Sequence, residues 1–135
     1  MIPFLVCALL LSPPPPTYNL SKVINAIQKV ETGGSLDPSN AVGDNGKAIG
    51  PYQIHLCYWK DAVDYDKTIG GKYSDCKDEE YARKIVEAYL CRYCKVYTNE
   101  NVARIHNGGP QGHKRSSTVG YWKKVNKELN NAQLD

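Results

Sequence analysis

The apolar residues of this chain recur every three or four positions in several separate segments, which is the period of amphipathic helices. The first such stripe stops just before Gly33-Gly34, a pair that ends helices. The same period predicts helices over 55–63, 79–97 and 99–106, and a last one around 119–129. The apolar positions of the first helix are Leu20, Val23, Ile24, Ile27 and Val30. A chain with this pattern must bury its helical stripes against one another.

One segment departs from the helical period. Residues 40–50 are polar and glycine-rich, and Asp44-Asn45-Gly46-Lys47 carries the Asn-Gly signal of a tight hairpin. The chain has 135 residues, no internal repeat and no dividing linker, so we expect one domain over 17–135. The sequence therefore predicts an α+β fold that is mostly helical and has one small β-hairpin.

The start of the chain indicates export. Residues 2–11 form an uncharged run that is apolar apart from its own proline, Pro3. The run is too short to span a bilayer and has the length of a signal-peptide core, although no Lys or Arg precedes it and four prolines follow at 13–16. We interpret residues 1–16 as a signal peptide and expect a secreted, extracellular protein. The alternative is a wrongly assigned start or a flexible tail.

Composition sets limits on class and partners. With 41% hydrophobic and 23% charged residues, the chain has the composition of an ordinary globular protein, which argues against disorder. Its formal net charge of +3 favours anionic partners but is too small to indicate nucleic-acid binding.

The cysteines allow two disulfide bonds. Of the five, Cys7 lies in the leader, and the even number that remains permits three connectivities. Cys91 and Cys94 share one predicted helix, where a bond between them would strain the backbone. We expect one of them to bridge to Cys57 and the other to Cys76, the alternative being buried free thiols. A zinc site is disfavoured, because there is one CxxC pair without a nearby His.

Glu31 is the most informative polar residue. It lies four positions after Ile27 and seven after Ile24, on the apolar face of the first helix. It also lies in the last helical turn, where the helix dipole disfavours negative charge. Both effects raise the pKa of a carboxyl group, and a general acid for glycosidic cleavage needs such a pKa. The alternative is a solvated Glu at a frayed helix end.

Three further candidates lie in loops or at helix ends. Asp44 begins the predicted turn, where Asp is also common for purely local reasons. The amide of Gln53, amid apolar neighbours, suits either a sugar acetamido group or a backbone segment that it ties down. His106 precedes Asn107-Gly108-Gly109, whose glycines allow close approach to a ligand or form an ordinary helix cap. We expect no metal or organic cofactor, because no cluster has ligand spacing.

Three segments, taken in order, resemble the signature of the invertebrate-type lysozymes. They are Glu31-Thr32-Gly33-Gly34, Gly50-Pro51-Tyr52-Gln53-Ile54 and Ala103-Arg104-Ile105-His106-Asn107-Gly108-Gly109-Pro110. Two shorter strings, Tyr58-Trp59-Lys60-Asp61 and Gly120-Tyr121-Trp122, look like the same family. The resemblance extends over about 23–125.

The resemblance implies a lysozyme-like fold with an active-site cleft and a glycosidase activity. The bond cleaved would be the β-1,4 bond between N-acetylmuramic acid and N-acetylglucosamine in bacterial peptidoglycan. Chitin oligomers are a secondary substrate candidate, because they share the linkage and the acetamido group. The family's catalytic Glu falls on Glu31. Counting forward without gaps places its catalytic Asp on Gly43, and we assign that role to Asp44, one residue later. The substrate-binding candidates are Tyr52, Gln53, His106, Asn107 and Gly108.

Two alternative functions and one departure accompany this interpretation. Lytic transglycosylases share the order Glu, Gly-x-x-Gln, Asn-x-Gly, use one carboxyl group and form an anhydro sugar. A wall-binding module without catalysis is the second alternative. Family members are usually richer in cysteine. Some also have an isopeptidase activity assigned to a Ser near the hairpin and a His. Residues 44–48 contain no Ser, so we do not carry that activity over.

Overall fold

The computed structural model describes residues 13–134. This part of the chain forms five α-helices and one small antiparallel sheet of strand order β1-β2-β3. The helices are α1 (Leu20–Thr32), α2 (Leu56–Tyr65), α3 (Glu79–Tyr93), α4 (Asn99–Gly108) and α5 (Val119–Ala132). The strands are β1 (Val42–Gly43), β2 (Ala48–Ile49) and β3 (Ile54–His55), all between α1 and α2. The predicted α+β class is confirmed.

The helix starts follow from capping side chains in the sequence. Asn19, Asp78 and Thr98 precede α1, α3 and α4, and each accepts a hydrogen bond from a backbone N–H in the first turn of its helix. Such a cap satisfies one of the N–H groups that have no partner inside a helix, and it contributes about 1 kcal/mol.

Two boundaries and one strand differ from the prediction. Helix α3 ends at Tyr93 rather than at residue 97, because Cys94 already has an extended backbone, with φ −89° and ψ 109°. Helix α4 continues to Gly108. The third strand, β3, was not predicted, because two residues are too few to show a period.

The core lies where α1 packs against α4 and α5, and where α2 packs against α3. The buried face of α1 is the stripe seen in the sequence, with Val23, Ile24 and Ile27 fully buried. The rings of Tyr58 and Tyr89 stack with centroids 3.6 Å apart and join α2 to α3. Burial of each large apolar side chain stabilises the fold by roughly 1.5–3 kcal/mol.

The sheet register brings the turn close to the start of α2. Gly43 is opposite Ala48, and Ala48 is opposite His55, so these three residues form one row across the sheet. The predicted turn between β1 and β2 is confirmed. Asp44 and Asn45 have left-handed backbones there, with φ of 50° and 56°.

The predicted disulfide bonds are wrong, because Cys57, Cys76, Cys91 and Cys94 are all free thiols. Cys91 and Cys94 contact the chain that immediately follows α3, where the Cys94 thiol donates to the Val96 carbonyl oxygen at 3.4 Å. Cys57 is instead exposed at the start of α2. Burial raises the pKa of Cys76 to about 12 and that of Cys94 to about 11, so both act as small apolar side chains.

The predicted signal peptide lies outside the described residues, apart from positions 13–16. Among residues 13–134, none of the helices combines the length and the apolar character that a membrane span requires.

Candidate active site

A cleft of about 230 Å³ lies where the ends of α1 and α4 meet the sheet. Five of the residues that line it were predicted from the sequence, and three were not. The lining residues are Glu31, Asp44, Ala48, Gln53, His55, Tyr58, His106 and Asn107. A larger hollow of about 470 Å³ lies beside α2 and α3, but it contains none of the predicted catalytic or substrate-binding residues. The smaller cleft is therefore the candidate active site.

Glu31 is a mostly buried carboxyl group in the wall of this cleft. Its side chain is 19% exposed, and its Oε1 accepts a hydrogen bond of 2.9 Å from the Tyr121 hydroxyl of α5. Burial raises the pKa of Glu31 above its ordinary value, although the Tyr121 hydrogen bond and the charge of Lys124 oppose the change. The carboxyl group therefore keeps its proton to a higher pH than an exposed Glu does, as its place on the apolar stripe predicted.

His106 is buried, and both of its ring nitrogens have partners. Nε2 lies 3.2 Å from the Tyr52 carbonyl oxygen, and Nδ1 lies 2.9 Å from the Tyr58 hydroxyl. A carbonyl oxygen only accepts, so Nε2 carries the proton and Nδ1 accepts from Tyr58. Burial lowers the pKa of His106 to about 4, so the ring is neutral near pH 7. Its contact of 3.9 Å with Glu31 is therefore not an ion pair at that pH.

Asp44 is an exposed residue in the lining of the cleft. Its side chain is 61% exposed, and its Oδ2 lies 3.4 Å from Nε2 of His55. Gly43, the position reached by counting without gaps, has no carboxylate, and its Cα faces Oε1 of Gln53, which a Cβ there would displace. The nearest carboxylate that the hairpin can present to the cleft is therefore that of Asp44.

The remaining predicted contacts divide into three groups. Asn107 is exposed and lines the cleft. Gln53 also lines it, but its Nε2 donates to the carbonyl oxygens of Ala41 and Gly50, at 3.2 and 2.9 Å, so it ties down the hairpin. Tyr52 and Gly108 do not line the cleft, and their role as substrate contacts stays a prediction.

Packing explains why these two residues do not line the cleft. The side chain of Tyr52 is fully buried in the core, and only its carbonyl oxygen takes part in the site, as the acceptor for His106. Gly108 packs against Thr118 so closely that a Cβ would collide with Cγ2 of that residue. Tyr52 and Gly108 therefore both contribute to packing.

Sequence reasoning missed three residues of the site, namely His55, Tyr58 and Tyr121. Tyr58 holds His106, and Tyr121 holds Glu31 from a position 90 residues further along the chain. No local pattern reveals a contact at that separation. For His55 the available signal was the hairpin register, which becomes readable only once the third strand is known.

The described residues contain no group of three or more His, Cys, Asp or Glu side chains arranged to hold a metal ion. The chemistry that this arrangement supports is proton donation from a buried carboxyl group beside an exposed carboxylate.

Comparisons with known proteins agree with this geometry. The Destabilase family model matches residues 21–128. Invertebrate-type lysozyme 6 of Caenorhabditis elegans is 36% identical over 78% of this chain and 84% of its own length. A lysozyme of Meretrix lusoria is 36% identical over 59% of this chain and 66% of its own length. The crystal structure of Tapes japonica lysozyme superposes with a TM-score of 0.67 and 32% identity, over 78% of this chain and 87% of that one. This chain belongs to the Destabilase family, among the invertebrate-type lysozymes.

Proposed function

We propose that this chain is a lysozyme that cleaves the β-1,4 bond between N-acetylmuramic acid and N-acetylglucosamine, with Glu31 as its general acid. The observation that carries the proposal is the buried carboxyl group of Glu31, whose pKa is raised, in the same cleft as the carboxylate of Asp44. Two carboxyl groups on either side of the scissile bond are what glycoside hydrolysis requires. Release of reducing ends from a bacterial wall suspension tests the function.

The contacts of Glu31 suit proton donation. Because the Tyr121 hydroxyl donates to Oε1, the acid form carries its proton on Oε2. That proton passes to the glycosidic oxygen as the bond to the leaving sugar breaks. The neutral ring of His106, 3.9 Å away, adds no positive charge that would drive the proton off. Burial therefore favours the acid form of Glu31, against the opposing effects of the Tyr121 hydrogen bond and the charge of Lys124.

Asp44 supplies the second carboxylate. In the proposed mechanism it stabilises or captures the oxocarbenium-like centre, and water then releases the sugar with retained configuration. The support for this role is that Asp44 lines the same cleft as Glu31, whereas its neighbour Gly43 has no carboxylate.

The proposed setting is extracellular. An apolar leader at the start of the chain and a formal net charge of +3 support a secreted enzyme that acts on an anionic wall. Chitin oligomers are the proposed second substrate. The test is the release of shorter oligomers by the parent protein, which we expect Glu31→Gln to lose.

Replacing Asp44 with Asn is expected to lower kcat on peptidoglycan by roughly 100-fold, because charge that develops in the transition state loses its counter-charge. The matched control is Asp37→Asn. Asp37 is an exposed carboxylate of the same loop, and its side chain is bonded to Asn40. We expect the control to stay within twofold of the parent. Equal activity of Asp44→Asn and the control would remove Asp44 from the mechanism.

The same variant separates hydrolysis from transglycosylation. A lytic transglycosylase needs one carboxyl group and releases an anhydro sugar, whereas a hydrolase releases reducing ends. We expect mass spectrometry of the muropeptides released by the parent protein to show reducing ends alone. Anhydro products with an undiminished rate in Asp44→Asn would favour the transglycosylase. Binding to walls with no released product would favour a binding module.

Replacing Tyr121 with Phe is expected to move the alkaline limb of the kcat/KM profile to higher pH. The Tyr121 hydrogen bond lowers the pKa of Glu31. Without it the pKa of Glu31 rises further, so the acid form persists to higher pH. Measuring kcat/KM from pH 4 to pH 9 in both proteins checks this, with Tyr97→Phe as a tyrosine control far from the cleft. A limb that stays in place or moves to lower pH would contradict the assignment of Glu31 as the acid.

A further inference from the structure

Asp44 has an unusual setting for a residue that must point at a substrate. It lies in a tight turn with a left-handed backbone, φ 50°, and more than half of its side chain is exposed. An exposed carboxylate in a turn samples several rotamers, and each one lost on ordering has an entropic cost. Some contact must therefore select the orientation that faces the cleft.

The contact that the structure provides is His55. Its Nε2 lies 3.4 Å from Oδ2 of Asp44, and both side chains line the cleft with Glu31. The sheet register fixes this meeting, because His55 is in the same row as Gly43, the residue before Asp44. His55 itself is 43% exposed, so it is not a core residue held there by packing.

The two residues are anchored by different means. His55 stands on a strand at the entry to α2, where it is the residue that precedes the first helical turn. Asp44 stands on the turn, which depends on Gln53 for its shape, because Nε2 of Gln53 ties Ala41 to Gly50. A side chain on a strand is held more precisely than one on a turn. We therefore expect His55 to fix the orientation of Asp44, and not the reverse.

We propose that His55 is a positioning residue that orients the carboxylate of Asp44 toward the reacting sugar, an inference that rests on the proposed function. In this arrangement Nε2 of His55 faces Oδ2 of Asp44 and leaves Oδ1 for the oxocarbenium-like centre. Because Asp44 acts on charge that develops in the transition state, loss of its orientation lowers kcat and leaves KM nearly unchanged. His55 touches no reacting atom in this scheme.

The test is a double-mutant cycle. His55→Ala is expected to lower kcat about tenfold with KM within twofold of the parent, and to cause no further loss in an Asp44→Asn background. His55→Gln keeps an N–H donor on a side chain of similar reach and is expected to stay within about threefold of the parent. Far-ultraviolet circular dichroism confirms that each variant is folded. Should His55→Ala disrupt folding, the kcat of His55→Leu, which has no N–H donor, is compared instead with that of His55→Gln, which keeps one.

The outcomes separate this inference from the function itself. An equal loss from His55→Ala with and without Asp44, or a loss confined to KM, would overturn the positioning role. Full activity of Asp44→Asn beside an inactive Glu31→Gln would overturn it too, with the glycosidase intact. Retained hydrolysis in Glu31→Gln would instead refute the proposed function.

Discussion

Replacing Glu31 with Gln is expected to lower hydrolysis of a bacterial wall suspension by roughly 1,000-fold, since a general acid contributes about 10²–10⁴-fold to rate. Gln has the same shape and its amide oxygen still accepts from Tyr121, but it has no acidic proton to donate. Loss of turbidity measures the rate. Glu80→Gln, which changes an exposed glutamate in the first turn of α3, is the matched control and is expected to keep full activity. Equal rates in the two variants would refute the catalytic role of Glu31.

Thermal unfolding of the same variant checks that the loss is chemical. The pKa of Glu31 is raised in the folded protein. Its contribution to stability is therefore complete below its unfolded pKa and is lost as pH rises through the folded one. Gln does not ionise, so Glu31→Gln is expected to gain stability relative to the parent as pH rises from 4 to 7. A variant that becomes less stable than the parent over that range would show that the carboxylate is stabilised in the fold.

Replacing Gly50 with Ala is expected to destabilise the fold by about 3 kcal/mol. The backbone of Gly50 has φ 76°, which a residue with a Cβ adopts at a cost of roughly 1–3 kcal/mol. A Cβ there would also collide with the carbonyl oxygen of Cys76, and such overpacking costs about 1–3 kcal/mol more. The melting temperature should fall by about 10 °C. Gln53 donates a hydrogen bond to the Gly50 carbonyl oxygen, so we expect the substitution also to disturb the hairpin that carries Asp44.

Two other glycines separate the causes. Gly46 also has a positive φ, 87°, but a Cβ there meets nothing, so Gly46→Ala measures the backbone cost alone. Gly120 lies inside α5 with open space around it, and Gly120→Ala is expected to stabilise the protein by about 0.5–1 kcal/mol. If Gly50→Ala were no worse than Gly46→Ala, the contact with Cys76 would not limit this position.

Local pattern was sufficient for most of the fold. The helices, their polar caps and the Asn-Gly turn depend on neighbours within four residues, so periodicity and capping chemistry determined them. The apolar stripe of α1 likewise placed Glu31 on a buried face before any partner was known. The sequence failed at the end of α3 and at β3, where short segments follow tertiary contacts rather than propensity.

The site was only partly determined in this way. The sequence by itself identified the buried acid, the turn carboxylate and the helix-end His, because each has a local signature of burial, turn chemistry or motif. The tertiary structure also showed that the cysteines are free thiols. Only the tertiary structure decided that Tyr121 holds Glu31, that Tyr58 and the Tyr52 carbonyl orient His106, and that burial keeps the His106 ring neutral. These contacts join residues tens of positions apart in sequence. Their formation depends on how helices and strands pack, and no local pattern encodes that packing.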